Sequence, residues 1–101
     1  MSDVFGALAH PVRRKILNLL RKGAMSAGDL AAHFDLAKPT LSGHFAVLKS
    51  ADLVTSERKG TTILYCLNIS VVEEALAALM AIADVGEVKE EGTKKWESVR
   101  R

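Results

Sequence analysis

The stretch Lys38–Lys49, KPTLSGHFAVLK, carries two patterns at once. Leu41, Phe45 and Leu48 recur at i, i+4 and i+7, which puts them on one stripe of an α-helix. Pro39 suits the first helical position, N1, of that helix. The remaining surface is unusual. Lys38, Thr40, Ser42, Gly43 and His44 crowd its N-terminal half, where a solvated helix would carry Glu, Lys, Arg or Gln. Gly43 alone costs about 1 kcal/mol against Ala in a helix interior. No acidic residue lies between Pro39 and Lys49, as a surface facing phosphates requires. The spacing therefore predicts a helix anchored by an apolar stripe, with short polar groups on the side that would meet base edges in a major groove. A merely solvated face is the alternative, and it leaves the weak helix formers unexplained.

Working upstream, Ser26 and Asp29 form a capping-box-like S-x-x-D ahead of a short helix, AGDLAAHF, with Leu30, Ala31 and Phe34 inward. DLAK is a tight connection to the opening stretch, so the pair reads as a helix-turn-helix. Further upstream, PVRRKILNLLRKG places Val12, Ile16, Leu19 and Leu20 on one face and ends at Gly23. His10-Pro11 separates it from a first short helix, capped by Ser2, that carries Val4, Phe5 and Leu8. Downstream the pattern changes. Residues 53–58 and 61–69 are rich in Val, Thr, Ile and Tyr, with Lys59-Gly60 as a hairpin turn and Ile63, Tyr65 and Leu67 alternating on one side. Ser70 then caps a last helix with Glu73 and Glu74 in its first turn. The expected fold is mainly α with a β-hairpin wing: a winged helix-turn-helix in the order α-α-α-α-β-β-α over residues 1–86. A polar tail, 87–101, is expected to be partly disordered.

The chain has 101 residues, 49% of them hydrophobic and 26% charged, the size and composition of one globular domain. Net charge is only +2, but residues 1–60 hold nine Lys/Arg against five Asp/Glu, and residues 61–101 hold five against seven. The basic first part suits an acidic partner such as nucleic acid. One cysteine, Cys66, excludes an intramolecular disulfide. With no basic n-region and no apolar run near 18 residues, neither a signal peptide nor a membrane span is expected, and the expected location is cytoplasmic.

Arg58 and Lys59 beside Gly60 put two cations at the wing tip, where they can reach DNA backbone or minor groove. Arg13, Arg14 and Lys15 read either as a phosphate patch or, as readily, as a solvated face or intramolecular ion-pair partners. His44, next to the buried stripe, reads equally as a DNA contact or an internal hydrogen-bonding group. No metal site is expected: AGDLAAHF has no Cys, the last helix offers only Glu73, Glu74 and Asp84, and His10, His33 and His44 fall on three separate elements. Cys66 lacks a resolving partner in its own chain, which leaves a structural role or an intersubunit disulfide. There is no Gly-rich phosphate loop, nucleophile elbow or ligand cluster, so an enzyme is not expected and no cofactor is implied.

The joint spacing of HPxRRKIL, LAxxFxLxKPTxSxHxxxLxxAxLV and RKGxxxxYxLN resembles the ArsR/SmtB family of bacterial winged-helix repressors, over about Val4 to Glu74. Within that family it looks most like the SdpR-like autorepressors. The resemblance implies a repressor that binds an inverted-repeat operator as a homodimer, and autoregulation. It assigns Lys38, Thr40, Ser42, Gly43 and His44 to DNA. It also implies a seam between the first and last helices, at Val4, Phe5, Leu8, Val72, Leu76, Leu79, Met80 and Ala83. Many relatives carry His, Arg or Gln where Gly43 stands, so a side-chain donor is missing there. No residue set names an inducer; the SdpR-like resemblance implies release by a membrane-protein partner. The readings kept beside this one are a metal- or redox-responsive sensor with a non-standard site and a winged-helix protein-interaction module.

Overall fold

A computed structural model of the chain describes residues 3–83. Eight elements follow in order: α1 (Val4–Leu8), α2 (Pro11–Leu20), β1 (Met25–Ser26), α3 (Ala27–Ala31), α4 (Lys38–Ser50), β2 (Val54–Lys59), β3 (Thr62–Leu67) and α5 (Ile69–Ala83). The fold is mostly helical with one small antiparallel sheet, a winged helix-turn-helix.

The helix starts follow from side-chain chemistry. Four N–H groups at each helix start lack an intrahelical partner. On α1 the Asp3 carboxylate accepts from Gly6 N at 2.7 Å, so the cap is Asp3 and not Ser2, which lies outside the described residues. On α2 the imidazole Nδ1 of His10 accepts from Val12 N at 3.2 Å, and Pro11 at N1 has no N–H to satisfy. On α3 the hydroxyl of Ser26 accepts from Asp29 N at 3.0 Å, the Ser half of the expected capping box. α3 is shorter than AGDLAAHF, ending at Ala31, and residues 32–37 connect it to α4. The turn between the two helices is correspondingly longer than DLAK alone.

The stripe on α4 is as expected: Leu41, Phe45 and Leu48 are buried. They meet Ile16, Leu17 and Leu20 of α2, Leu30 of α3, and Leu53 and Val54 in a common core. On α2 the buried face is centred on Ile16 and Leu17, with Val12 and Leu19 only half-buried at its edges. The Phe45 and Tyr65 rings lie 4.7 Å apart, linking α4 to β3.

α4 ends in a Schellman motif. Leu53 N donates to Leu48 O at 3.0 Å and Asp52 N to Lys49 O at 2.9 Å, and the two leucines are fully buried. Asp52 takes the left-handed conformation, φ +61°, that this motif requires. Glycine adopts that conformation without a Cβ penalty. Asp52→Gly should therefore raise stability by about 0.5–1 kcal/mol, read as a higher denaturant midpoint with an unchanged m-value.

The sheet has three strands, in the order β1-β3-β2, where two were expected. Met25 and Ser26 pair with Tyr65 and Leu64, so the start of α3 is stitched to the wing. This makes β3 central, and Ile63 to Leu67 are all half-buried instead of alternating. The β2–β3 register pairs Val54 with Leu67 and Lys59 with Thr62. The hairpin loop is thus Gly60-Thr61, one residue later than the sequence suggested. Gly60 has φ +63°, as the first position of a type II′ loop demands.

α5 begins at Ile69, so Ser70 sits inside its first turn and does not cap it, and Glu73 and Glu74 fall beyond that turn. Along this helix Ala75 is buried, while Leu76, Leu79, Met80 and Ile82 are exposed. Residues 84–101, including Asp84 and the tail from 87, lie outside the described residues.

Candidate nucleic-acid interface

The polar side of α4 is open. Lys38, Thr40, Ser42 and Gly43 are exposed and His44 is half-buried. The N-cap residue is Ala37, which offers no side-chain hydrogen bond, and Pro39 occupies the second helical position. The first turn of α4 thus keeps free N–H groups beside Lys38, a setting that favours a phosphate. A Cβ built on Gly43 meets nothing within 4 Å, so packing does not account for the glycine. At the distal end of the hairpin, Arg58 and Lys59 are exposed beside the Gly60-Thr61 loop.

The run Arg13-Arg14-Lys15 is engaged with backbone carbonyl groups of its own chain, half-buried at Arg13 and exposed at Arg14 and Lys15. Arg13 donates from Nε to Ala7 O at 2.8 Å and from Nη2 to Gly6 O at 3.2 Å. Arg14 donates from Nη1 to Leu8 O at 2.8 Å. Together they satisfy the last carbonyls of α1, where the helix dipole also favours cations. Lys15 donates to His33 O at 2.9 Å, just past α3, and its ammonium sits 4.7 Å from the centre of the Phe34 ring. These three side chains have partners within the fold. The two that also lie over exposed ground, Arg14 and Lys15, gain little from them energetically.

His44 belongs to a small cluster. Arg13 Nη1 lies 3.2 Å from His44 Nδ1, and the His10 and His44 rings are 4.5 Å apart at 53°. Because a guanidinium only donates, Nδ1 of His44 is the acceptor and its hydrogen resides on Nε2. The His44 pKa is held below the usual 6.5, first by burial and then by His10 and Arg13 as nearby positive charges. The unfolded chain therefore binds more protons than the folded one just below pH 6.5. Stability conferred by neutral His44 is complete above that pH and is lost as pH falls toward the folded pKa.

The residues expected at a dimer seam divide. Val4 is buried in its own chain, because it packs inward from the first turn of α1, and so it offers nothing to a partner. Leu8 and Val72 are half-buried. Phe5 is 45% exposed and Leu76 55%, and Leu79, Met80 and Ala83 are also exposed. Cys66 is half-buried in β3 opposite Thr55. Among the described residues no three His, Cys, Asp or Glu side chains gather as a metal site, and no helix is long and apolar enough to cross a membrane.

Residues 10–56, from His10 through α4 into β2, match the family model described as bacterial regulatory protein, arsR family. The chain is 41% identical to the transcriptional repressor SdpR of Bacillus subtilis (strain 168), over 86% of this chain and 97% of that protein. It is 40% identical to an arsenical resistance operon repressor of Staphylococcus xylosus, over 67% of this chain and 65% of the other. A crystal structure of an ArsR family transcriptional regulator superposes with a TM-score of 0.74 at 26% identity, covering 84% of this chain and 88% of that one.

Proposed function

The chain belongs to the arsR family of bacterial regulatory proteins, DNA-binding transcriptional repressors and not enzymes, and on that premise we propose that it acts as a homodimer on an inverted-repeat operator. The observation that carries the reading is the α4 surface. A well-anchored helix presents Lys38, Thr40, Ser42 and Gly43 to solvent at an uncapped N-terminus, with no acidic residue along its length from Pro39 to Lys49. Thr40 and Ser42, short and directional, read base edges. Lys38 at the helix start and Arg58 and Lys59 on the wing hold phosphates and set register. His44 supplies a ring N–H at the inner margin of that face.

Dimer formation rests on Phe5 and on α5. A 101-residue chain that leaves Leu76, Leu79, Met80 and Ile82 exposed on one helix gains stability by burying them against a second copy. Two copies also present two reader helices, which matches the two-fold symmetry of an inverted repeat. The cytoplasm is the compartment where such an operator is met. The SdpR-like resemblance of the sequence motifs motivates two further parts of the proposal: repression of the chain's own gene, and a membrane-protein partner as the releasing signal.

Fluorescence anisotropy with the DNA upstream of the chain's own gene tests the reading. Lys38→Ala and Arg58→Ala should each weaken binding to all sequences and lower the slope of log K against log salt by about 1. Thr40→Ala/Ser42→Ala should change sequence preference and leave that slope unaltered. Unchanged operator affinity in the double variant would overturn the assigned reading face. A monomer by light scattering at micromolar concentration would overturn the dimer.

A further inference from the structure

Arg13 is the one cation of the Arg13-Arg14-Lys15 run that touches α4. Its three hydrogen bonds are divided between two elements. Nε and Nη2 take the carbonyls of Ala7 and Gly6 at the end of α1, and Nη1 takes Nδ1 of His44 on α4. The guanidinium is planar, with its donors in a fixed fork. Two bonds to α1 therefore fix the direction of the third. The His44 ring also lies against that of His10, 4.5 Å between centroids, whose own Nδ1 accepts from Val12 N. The ring thus touches both a fixed guanidinium and a fixed imidazole.

We propose that Arg13 is a positioning residue for DNA reading: by tying the carbonyl end of α1 to His44 Nδ1, it fixes the rotation of the His44 ring and reserves its hydrogen for Nε2. This rests on the reading of α4 as the DNA-contacting helix. A histidine with a free ring has two tautomers and two flipped orientations, and the donor it offers to a base or phosphate is defined only in one of them. With Arg13 in place the choice is made before DNA arrives, so none of the binding free energy is spent ordering the ring. The charges acting on His44 are His10 and Arg13; α1 contributes only backbone carbonyls, since its Asp3 carboxylate is turned onto Gly6 N. Protonation of His44 would remove the acceptor Arg13 uses and leave two cations in contact.

The test uses the full chain, with nitrogen NMR of the imidazoles and operator binding measured together. In the wild type above pH 7, His44 should show a bare Nδ1 and a protonated Nε2. Arg13→Met keeps the hydrocarbon stem and removes the donors. It should raise the His44 pKa, move the Nδ1 signal and weaken operator binding by about tenfold, roughly the value of one well-placed hydrogen bond. The salt slope should stay unchanged, because Arg13 does not itself meet phosphate. Arg14→Met is the control: it also unties α1 but does not touch His44, so it should leave both the His44 signals and operator affinity near wild type. Arg13→Lys should restore part of the affinity. Unshifted His44 signals in Arg13→Met, or an equal affinity loss in Arg14→Met, would overturn the positioning role, as would a salt slope reduced by about 1 in Arg13→Met. A wild type that ignores its upstream DNA while showing the expected His44 spectrum would instead overturn the reading of α4, and the positioning role with it.

Discussion

Leu48→Ala is expected to cost about 3 kcal/mol of stability, within the range for truncating a buried leucine. Leu48 has no exposed surface, whereas Val47, its neighbour on the same helix, is 39% exposed. Leu48 also supplies the carbonyl that closes the Schellman motif, and its side chain is buried together with that of Leu53. Truncation removes the methyl groups from water-free surroundings and leaves a cavity beneath both α4 and the start of the wing. For a domain of this size the loss should lower the midpoint of thermal unfolding by roughly 15 °C. Since small domains hold only about 5–15 kcal/mol in total, the folded fraction at 37 °C should fall measurably. Val47→Ala should cost less than about 1 kcal/mol, and its midpoint should move by only a few degrees. Calorimetry on the two variants checks the pair. Equal costs would mean that the stripe Leu41–Phe45–Leu48 does not anchor α4.

That stripe was legible from spacing alone, because a helix buried on one side must repeat its apolar residues at three and four, whatever it packs against. The cap of Ser26 on Asp29 was legible for a similar reason, as a local rule within one turn, whereas α2 ends at Leu20 with Arg21 as its C-cap, three residues short of the stop expected at Gly23. The errors fall where the deciding partner is distant or the signal is short. β1 has two residues, too few for any periodicity, and it exists because Met25 meets Tyr65 forty residues later. Making β3 a central strand then erased the alternation expected at Ile63, Tyr65 and Leu67. The hairpin loop shifted by one residue because Gly60 takes the first loop position and not the second. Val4 looked available to a partner because α1 is too short to show which side is inner.

The basic run on α2 is the most instructive part of the site. From sequence, Arg13, Arg14 and Lys15 fitted a phosphate patch, a solvated face or internal ion pairing, and the partners they find are backbone carbonyls. The choice depended on where the ends of α1 and α3 lie, since unpaired carbonyls at a helix end draw the nearest cations. No composition rule contains that information. Lys38, Arg58 and Lys59 have no such carbonyls to satisfy among the described contacts and remain at the surface. His10 as the cap of α2 was missed for a different reason: histidine is seldom a capping residue, and its role appears only when its Nδ1 is placed against Val12 N.

Gly43→Glu is expected to separate folding from DNA binding in one substitution. Gly43 lies within α4, and a Cβ there meets nothing within 4 Å, so a longer side chain has room. Glutamate has higher helix propensity than glycine, and the change should raise stability by about 0.5–1 kcal/mol. The same carboxylate would stand on a face that has no acidic residue from Pro39 to Lys49. Against DNA it meets phosphates of like charge, a juxtaposition that costs several kcal/mol. Operator affinity should therefore fall by about a hundredfold or more at moderate salt, at 1.4 kcal/mol per decade. Two comparisons make the result specific. Gly43→Gln keeps the helix gain without the charge and adds a donor of the kind that pairs with adenine; it should retain binding and shift sequence preference. A carboxylate on another helix, at exposed Asn18 of α2, should leave operator affinity within a few-fold of wild type. If Gly43→Glu is stabilised and still binds its operator as tightly as the unaltered chain, α4 does not face DNA at this position. If it is destabilised, the glycine serves the fold, and the open space around it is not the reason it is there.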